Sequence, residues 1–224
     1  MNITKRKLLN LLALLPSLGA CVDTNPYGKP IVQPPDPYGS NDALRKRFKG
    51  VSVGELVLDA LTPKAGVIFY DHQNRLIEMG GGFGPKGSSK SAYPGGERGV
   101  PISVRATWRE GKFEMAPSGN DWIGGVIVGD YSVTVAERIP EETLNYIRRN
   151  KTSLRLKFRL YDEGLLVGWD VPKPFVGERV AGRYYPVEYF LIGGDFQEAH
   201  IVNGQVVRKG WYINKQGQRI ETEW

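Results

Sequence analysis

Cysteine is almost missing from this chain, which places one, Cys21, among 224 residues. An internal disulfide framework and a cysteine-based zinc cluster are therefore excluded. Histidine is nearly as scarce. His72 and His200 are too few for a histidine-rich metal site, and no metal and no cofactor is expected. Long apolar runs are also missing: the most apolar stretch, Leu8 to Leu15, falls short of the ~20 residues a helix needs to cross a bilayer. Neither sign of charge dominates. Lys and Arg number 30 against 24 Asp and Glu, an excess too small to suggest nucleic acid as a partner. What the chain does have is 28 glycines, 15 prolines and 11% aromatic residues, a mixture that favours short strands joined by turns over a helical bundle.

The amino-terminal residues have the order of an export signal. Lys5, Arg6 and Lys7 precede the apolar stretch, and Pro16 and Ser17 follow it. Leu18-Gly19-Ala20-Cys21 then resembles the lipobox of bacterial lipoproteins, in which a peptidase cuts before the cysteine and the thiol carries a diacylglycerol. That resemblance implies a signal peptide over 1–20 and a lipidated Cys21, inserted in the lipid bilayer. Cleavage removes three positive charges and no negative ones, lowering the net charge from +6 to +3. Two or three acyl chains, at about 0.8 kcal/mol per methylene, suffice for stable anchoring. Val22 stands where an aspartate would signal inner-membrane retention, so the expected location is the periplasm-facing leaflet of the outer membrane. Pro26, Pro30, Pro34, Pro35 and Pro37 make 21–42 an extended tether, with Pro-Tyr-Gly at 26–28 and again at 37–39.

The remainder, 43–224, reads as one β-rich globular domain. Segments 51–60 and 65–79 are strand-like, the second divided by a turn near Asp71 to Asn74, and the eight glycines of 80–99 suggest a long loop. Val100 to Trp108, Tyr131 to Val135 and Leu154 to Leu160 alternate apolar and polar residues, the pattern of half-buried strands. Pro140, Glu141 and Glu142, with Leu144 and Ile147 three apart and Arg148 and Arg149 at the end, predict a short helix over 140–150. Strands are expected near 165–171, 184–192, 199–202, 205–213 and 218–223, with Asn203-Gly204 and Gln216-Gly217 as hairpin turns. The predicted fold is mainly β, an antiparallel sandwich or barrel-like domain with one short helix, behind a Pro-rich tether.

Motifs that suggest chemistry lack their structural context. Gly84 to Ser91 approaches a phosphate-binding loop, but Ser89 replaces its second glycine and no helix can start at Ala92-Tyr93-Pro94. Gly50-Val51-Ser52-Val53-Gly54 matches a hydrolase nucleophile elbow, yet the strand-like Leu56, Val57 and Leu58 follow where a helix is needed. Asp71 and His72, adjacent in a turn, are badly placed to complete a triad with Ser52. No catalytic residue is assigned and the chain is not expected to be an enzyme. Arg155, Lys157 and Arg159 form a basic stripe on one strand face, read as a solvated outer face or as a partner contact. Trp211 and Tyr212, in an aromatic carboxy-terminal third, are the other candidate partner contacts.

With those residues in view, the chain resembles an uncharacterised family of bacterial lipoproteins, a domain of unknown function some of whose members are encoded beside type VI secretion lipase effectors. The residues that carry the resemblance are the lipobox, Val100 to Trp108, Tyr131 to Trp169 with its Ile139-Pro140-Glu141-Glu142 helix start, and Gly193-Gly194-Asp195-Phe196 followed by Arg208 to Ile213. It implies an envelope location and a protein partner, either a toxic effector neutralised by an immunity protein or another envelope component. It transfers no catalytic residue.

Overall fold

The computed structural model describes residues 36–85, 89–91, 99–172, 189–202 and 205–223. Cys21, the first Pro-Tyr-Gly, the Asn203-Gly204 turn and residues 184–188 lie outside the described residues. A sandwich-like domain is built from two main sheets. Strands β1 (Val53–Ala60), β2 (Lys64–Asp71), β3 (Leu76–Phe83) and β4 (Ser89–Ser91) are followed by the long β5 (Ser103–Met115) and β6 (Trp122–Thr134). A 3-10 turn, Ala136–Arg138, leads into a helix, Glu141–Asn150, and then come β7 (Leu154–Tyr161) and β8 (Gly164–Pro172). One sheet has the order β3-β2-β5-β6. The other has β4-β1-β7-β8 and, at its far edge, β9 (Tyr189–Gly194). A smaller sheet joins β10 (Phe196–Gln197), β13 (Gly210–Ile213) and β14 (Arg219–Thr222), and β11 (His200–Val202) pairs with β12 (Gln205–Arg208).

The apolar halves of the alternating strands make the core. Leu56 and Leu58 of β1, Leu156 and Phe158 of β7 and Val167 of β8 meet Val67 and Phe69 of β2 and Val104 and Ala106 of β5, all fully buried or nearly so. Phe69 bridges the layers, 5.9 Å from Phe83 and 6.2 Å from Phe158. Burying each such ring contributes ~1.5–3 kcal/mol.

The predicted helix forms as expected. Pro140 is its N-cap, Glu141 and Glu142 occupy the first turn and Arg148 and Arg149 the last, each complementing the helix dipole, while Leu144 and Ile147 close the core. The hairpins at Asp71–Asn74 and Gln216-Gly217 form too, with Asn74 and Gly217 at positive φ.

Four features depart from the sequence reading. A second helix, α1 (Asp42–Arg47), precedes the one just described, which is α2; Asn41 caps α1 by accepting from the Leu44 N–H at 3.1 Å. Tyr38, inside the stretch read as tether, is in the core: it stacks on Phe48 at 5.6 Å, and its hydroxyl accepts from Val100 N at 3.0 Å. The glycine-rich segment is not one loop, because Gly80 to Phe83 continue β3 and Ser89–Ser91 pair with β1. Gly80 is required there: a Cβ on it would lie 2.7 Å from the Phe83 ring. Finally, β1 and β7 pair in parallel within otherwise antiparallel sheets.

Candidate functional site

The basic stripe is not an outer face. Arg155, Lys157 and Arg159 are 6%, 0% and 1% exposed, which corrects both the solvated-face and the partner-contact expectation. Strand register places a carboxylate beside each arginine. Asp170 on β8 lies directly opposite Arg155, and Asp59 on β1 beside Arg159. Each arginine donates two hydrogen bonds, Arg155 to Asp170 at 2.6 and 2.5 Å and Arg159 to Asp59 at 2.6 and 2.7 Å. Lys157, between them, donates to Glu198 at 2.6 Å and lies 3.1 Å from Asp170. The segment Tyr189–Glu198 is the lid over this row. Arg155 lies 3.5 Å from the Tyr189 ring centre and Arg159 4.3 Å from that of Phe196.

Two carboxyls in this row are displaced in opposite directions. Burial pushes Asp59 up, further than Arg159 pulls it down. Burial also pushes Glu198 up, but the charge and hydrogen bond of Lys157, with Arg155, outweigh it and hold this carboxyl below its ordinary range. Breaking such a buried pair strands a charge, and the contacts to Tyr189, Phe196 and Glu198 tie the row to a third layer, the smaller β10-β13-β14 sheet with the segment that leads into it, which keeps the row off the surface.

Trp211 and Tyr212 belong to the same third layer and are half-buried. Register pairs Trp211 with Gln197 and Tyr212 with Phe196. The Trp211 indole N–H donates to Gln197 Oε1 at 3.1 Å, and Arg219 covers the ring at 4.7 Å. The two sets of candidates thus come together, the basic one beneath the layer and the aromatic one on it.

Of the residues that suggested hydrolysis, Ser52 is exposed just before β1, while Asp71 and His72 are held by their neighbours. Asp71 is buried and accepts from the N–H groups of Gln73 and Arg75 at 2.8 and 2.9 Å and from Arg75 Nε at 2.6 Å, which shapes the hairpin turn. His72 donates from Nε2 to Pro37 O at 2.6 Å and accepts at Nδ1 from Ile102 N at 3.4 Å, which pins residue 37 to the start of β5. The side chain of His200 lies outside the described residues.

The surface feature that sequence reading missed is the outer edge of β6. Among the described residues this strand ends its sheet. Ile123, Val126, Ile127 and Val128 are 43%, 67%, 46% and 44% exposed, and Met115, paired across from Trp122, is 55% exposed. The reason is a bulge. Gly111, Gly124 and Gly125 all have positive φ and interrupt the β5–β6 register between Glu110 and Phe113, so the hairpin bends. Trp122 then folds back, its indole donating to Val67 O at 3.3 Å, and the aliphatic run is left outside. The signal was Val126-Ile127-Val128 itself, masked by the Gly-Gly before it.

No family model, curated protein or solved structure matches this chain.

Proposed function

We propose that the chain is a lipid-anchored lipoprotein of the bacterial cell envelope, facing the periplasm from the outer membrane, and that it is an immunity protein which docks on a lipase delivered by type VI secretion. The anchor rests on the Lys5 to Cys21 pattern. The observation that carries the docking role is the β6 edge: among the described residues this strand ends its sheet and carries three consecutive exposed aliphatic residues, where natural edges usually carry charge, proline or a cover. Its occupant is an extended segment of the partner protein, added as a strand, with main-chain hydrogen bonds giving affinity and the valine and isoleucine side chains giving specificity.

The mechanism is steric. An inhibitor tethered to the membrane on which a lipase acts has a raised effective concentration there, and occupation of the lipase surface keeps substrate out without any chemistry from this chain. Asp71 and His72, the acid and base that sequence alone offered to Ser52, are tied to backbone groups, which supports binding over catalysis.

The test is a competition between a strain lacking this gene and its parent, with secretion active or disabled in the parent. Killing by the active parent alone is the expected result. Equal survival in both, with secretion shown independently to fire, overturns the immunity role and leaves an envelope-assembly lipoprotein.

A further inference from the structure

We propose that the α1–α2 end of the domain is a docking face for anionic phospholipid, which seats the domain on a bilayer surface. The position of the tether in this argument rests on the lipid-anchor reading; the rest is geometry.

A groove of about 670 Å³ opens where the described chain begins. Its floor is Pro37, Val51 and the stacked rings of Tyr38 and Phe48, and Lys46 and Lys49 stand on its rim. The same two lysines border a second groove, of about 610 Å³, closed by Arg47, Glu141 and Arg148. The carboxylates of these grooves are already engaged. Asp36 and Asp42 bind Arg45, and Glu141 binds Arg47 at 2.7 Å, with Arg148 at 3.7 Å. Arg148 also ties the helices together through the carbonyls of Arg47 and Lys49. Lys46 and Lys49 are exposed and have no ion-pair partner among the described residues, and the same holds for Arg149 and Lys151 at the end of α2. Against these four, the carboxylates of this end that no arginine holds are Glu137 and Glu142.

The floor side chains are themselves largely buried, so what this end presents is its cationic rim, which is complementary to the phosphate layer of an anionic phospholipid surface. The position of the chain end selects a bilayer as the occupant. Asp36 lines the groove and lies 15 residues after Cys21, so chain length alone limits their separation to roughly 50 Å. The acyl chains already make attachment stable, so the basic patch adds orientation of the domain rather than the anchor itself. Seating this end also orients the rest. From Thr134, which leads into the 3-10 turn, Val128 lies six residues back along β6, ~20 Å at the rise of a strand, so the aliphatic edge is separate from the seated end.

The test uses the chain from residue 21 onward, the form that signal cleavage would leave, with Cys21→Ser so that neither acylation nor the apolar signal plays a part, and co-sedimentation with phosphatidylglycerol or phosphatidylcholine vesicles. Binding to phosphatidylglycerol, its loss at high salt, and little binding to phosphatidylcholine are expected. Lys46→Gln with Lys49→Gln, shown by circular dichroism to remain folded, should weaken partitioning ~30-fold, the loss of two basic contacts with an anionic surface. Equal binding to both vesicles, no binding to either, or full binding by the double variant overturns the proposal. Displacement by inorganic phosphate beyond that by chloride at equal ionic strength also overturns it, by pointing to a free anion. Failure of the anchor reading shows separately, as absence of labelled palmitate from the unmodified chain.

Discussion

Asp59 and Arg159 sit side by side on the parallel strands β1 and β7, joined by two hydrogen bonds across 100 residues of sequence. Both are buried, so removing either partner leaves the other as a charge without compensation. Asp59→Ala is expected to lower stability by about 3–5 kcal/mol in urea unfolding. Asp59→Leu combined with Arg159→Met should recover most of that loss. A single variant as stable as the parent would show that the pair is dispensable.

The acid limb of stability should respond in opposite senses to the two displaced carboxyls. Glu198 titrates low in the fold, so its contribution is present above its ordinary pKa and is lost as pH falls through the folded value. Asp59 titrates high, so its contribution is present at low pH and is lost as pH rises through the folded value. Glu198→Gln should therefore flatten the fall in melting temperature on acidification, and Asp59→Asn should steepen it. Identical slopes for both variants would contradict the assignment.

Gly129 lies under the indole of Trp108, and a Cβ there would come 1.9 Å from Cε2 of that ring. Trp108 is itself stacked on Tyr131 at 5.3 Å and is 4% exposed, so it has little room to yield. Gly129→Ala should cost about 1–3 kcal/mol by overpacking, measured by urea unfolding.

Val126→Lys alters a side chain that is 67% exposed, so its effect on thermal unfolding should stay within about 0.5 kcal/mol. A charge in the middle of an edge blocks strand addition. Protection in the competition assay should fall to the level of the gene deletion. A variant that melts normally and still protects would remove the β6 edge from the docking role.

Cys21→Ser should abolish palmitate incorporation and mislocalise the protein, lowering protection while the isolated domain still binds its partner. Loss of partner binding by the folded variant would separate Cys21 from a purely anchoring role.

The elements whose apolar pattern matches their burial were legible in the sequence. Leu144 and Ile147 marked α2, and Leu154 to Leu160 marked β7 as the partner of β8. The basic half of β7 was misread because alternation reports two different faces and says nothing of what covers the second. The cover was still detectable: Asp59 and Asp170 stand inside strands otherwise rich in Val, Leu and Trp, positions where a carboxylate needs a cation beside it. Helix α1, six residues long, carries too little periodicity to register, although Asn41 before Asp42 is a capping signal. The first half of β6 was hidden by Gly124 and Gly125, which resemble a loop in sequence and form a bulge in space.

The pairing of β1 with β7 also sets an order of assembly. Among the described strands, β1 has one other neighbour, the three-residue β4. A chain that emerges amino end first must therefore hold the apolar Leu56, Val57 and Leu58 without their main partner until residue 160 has appeared. Contacts so distant in sequence slow folding. The domain should acquire its native structure late, after most of its length is free, and should be most open to proteases and holding chaperones during that interval.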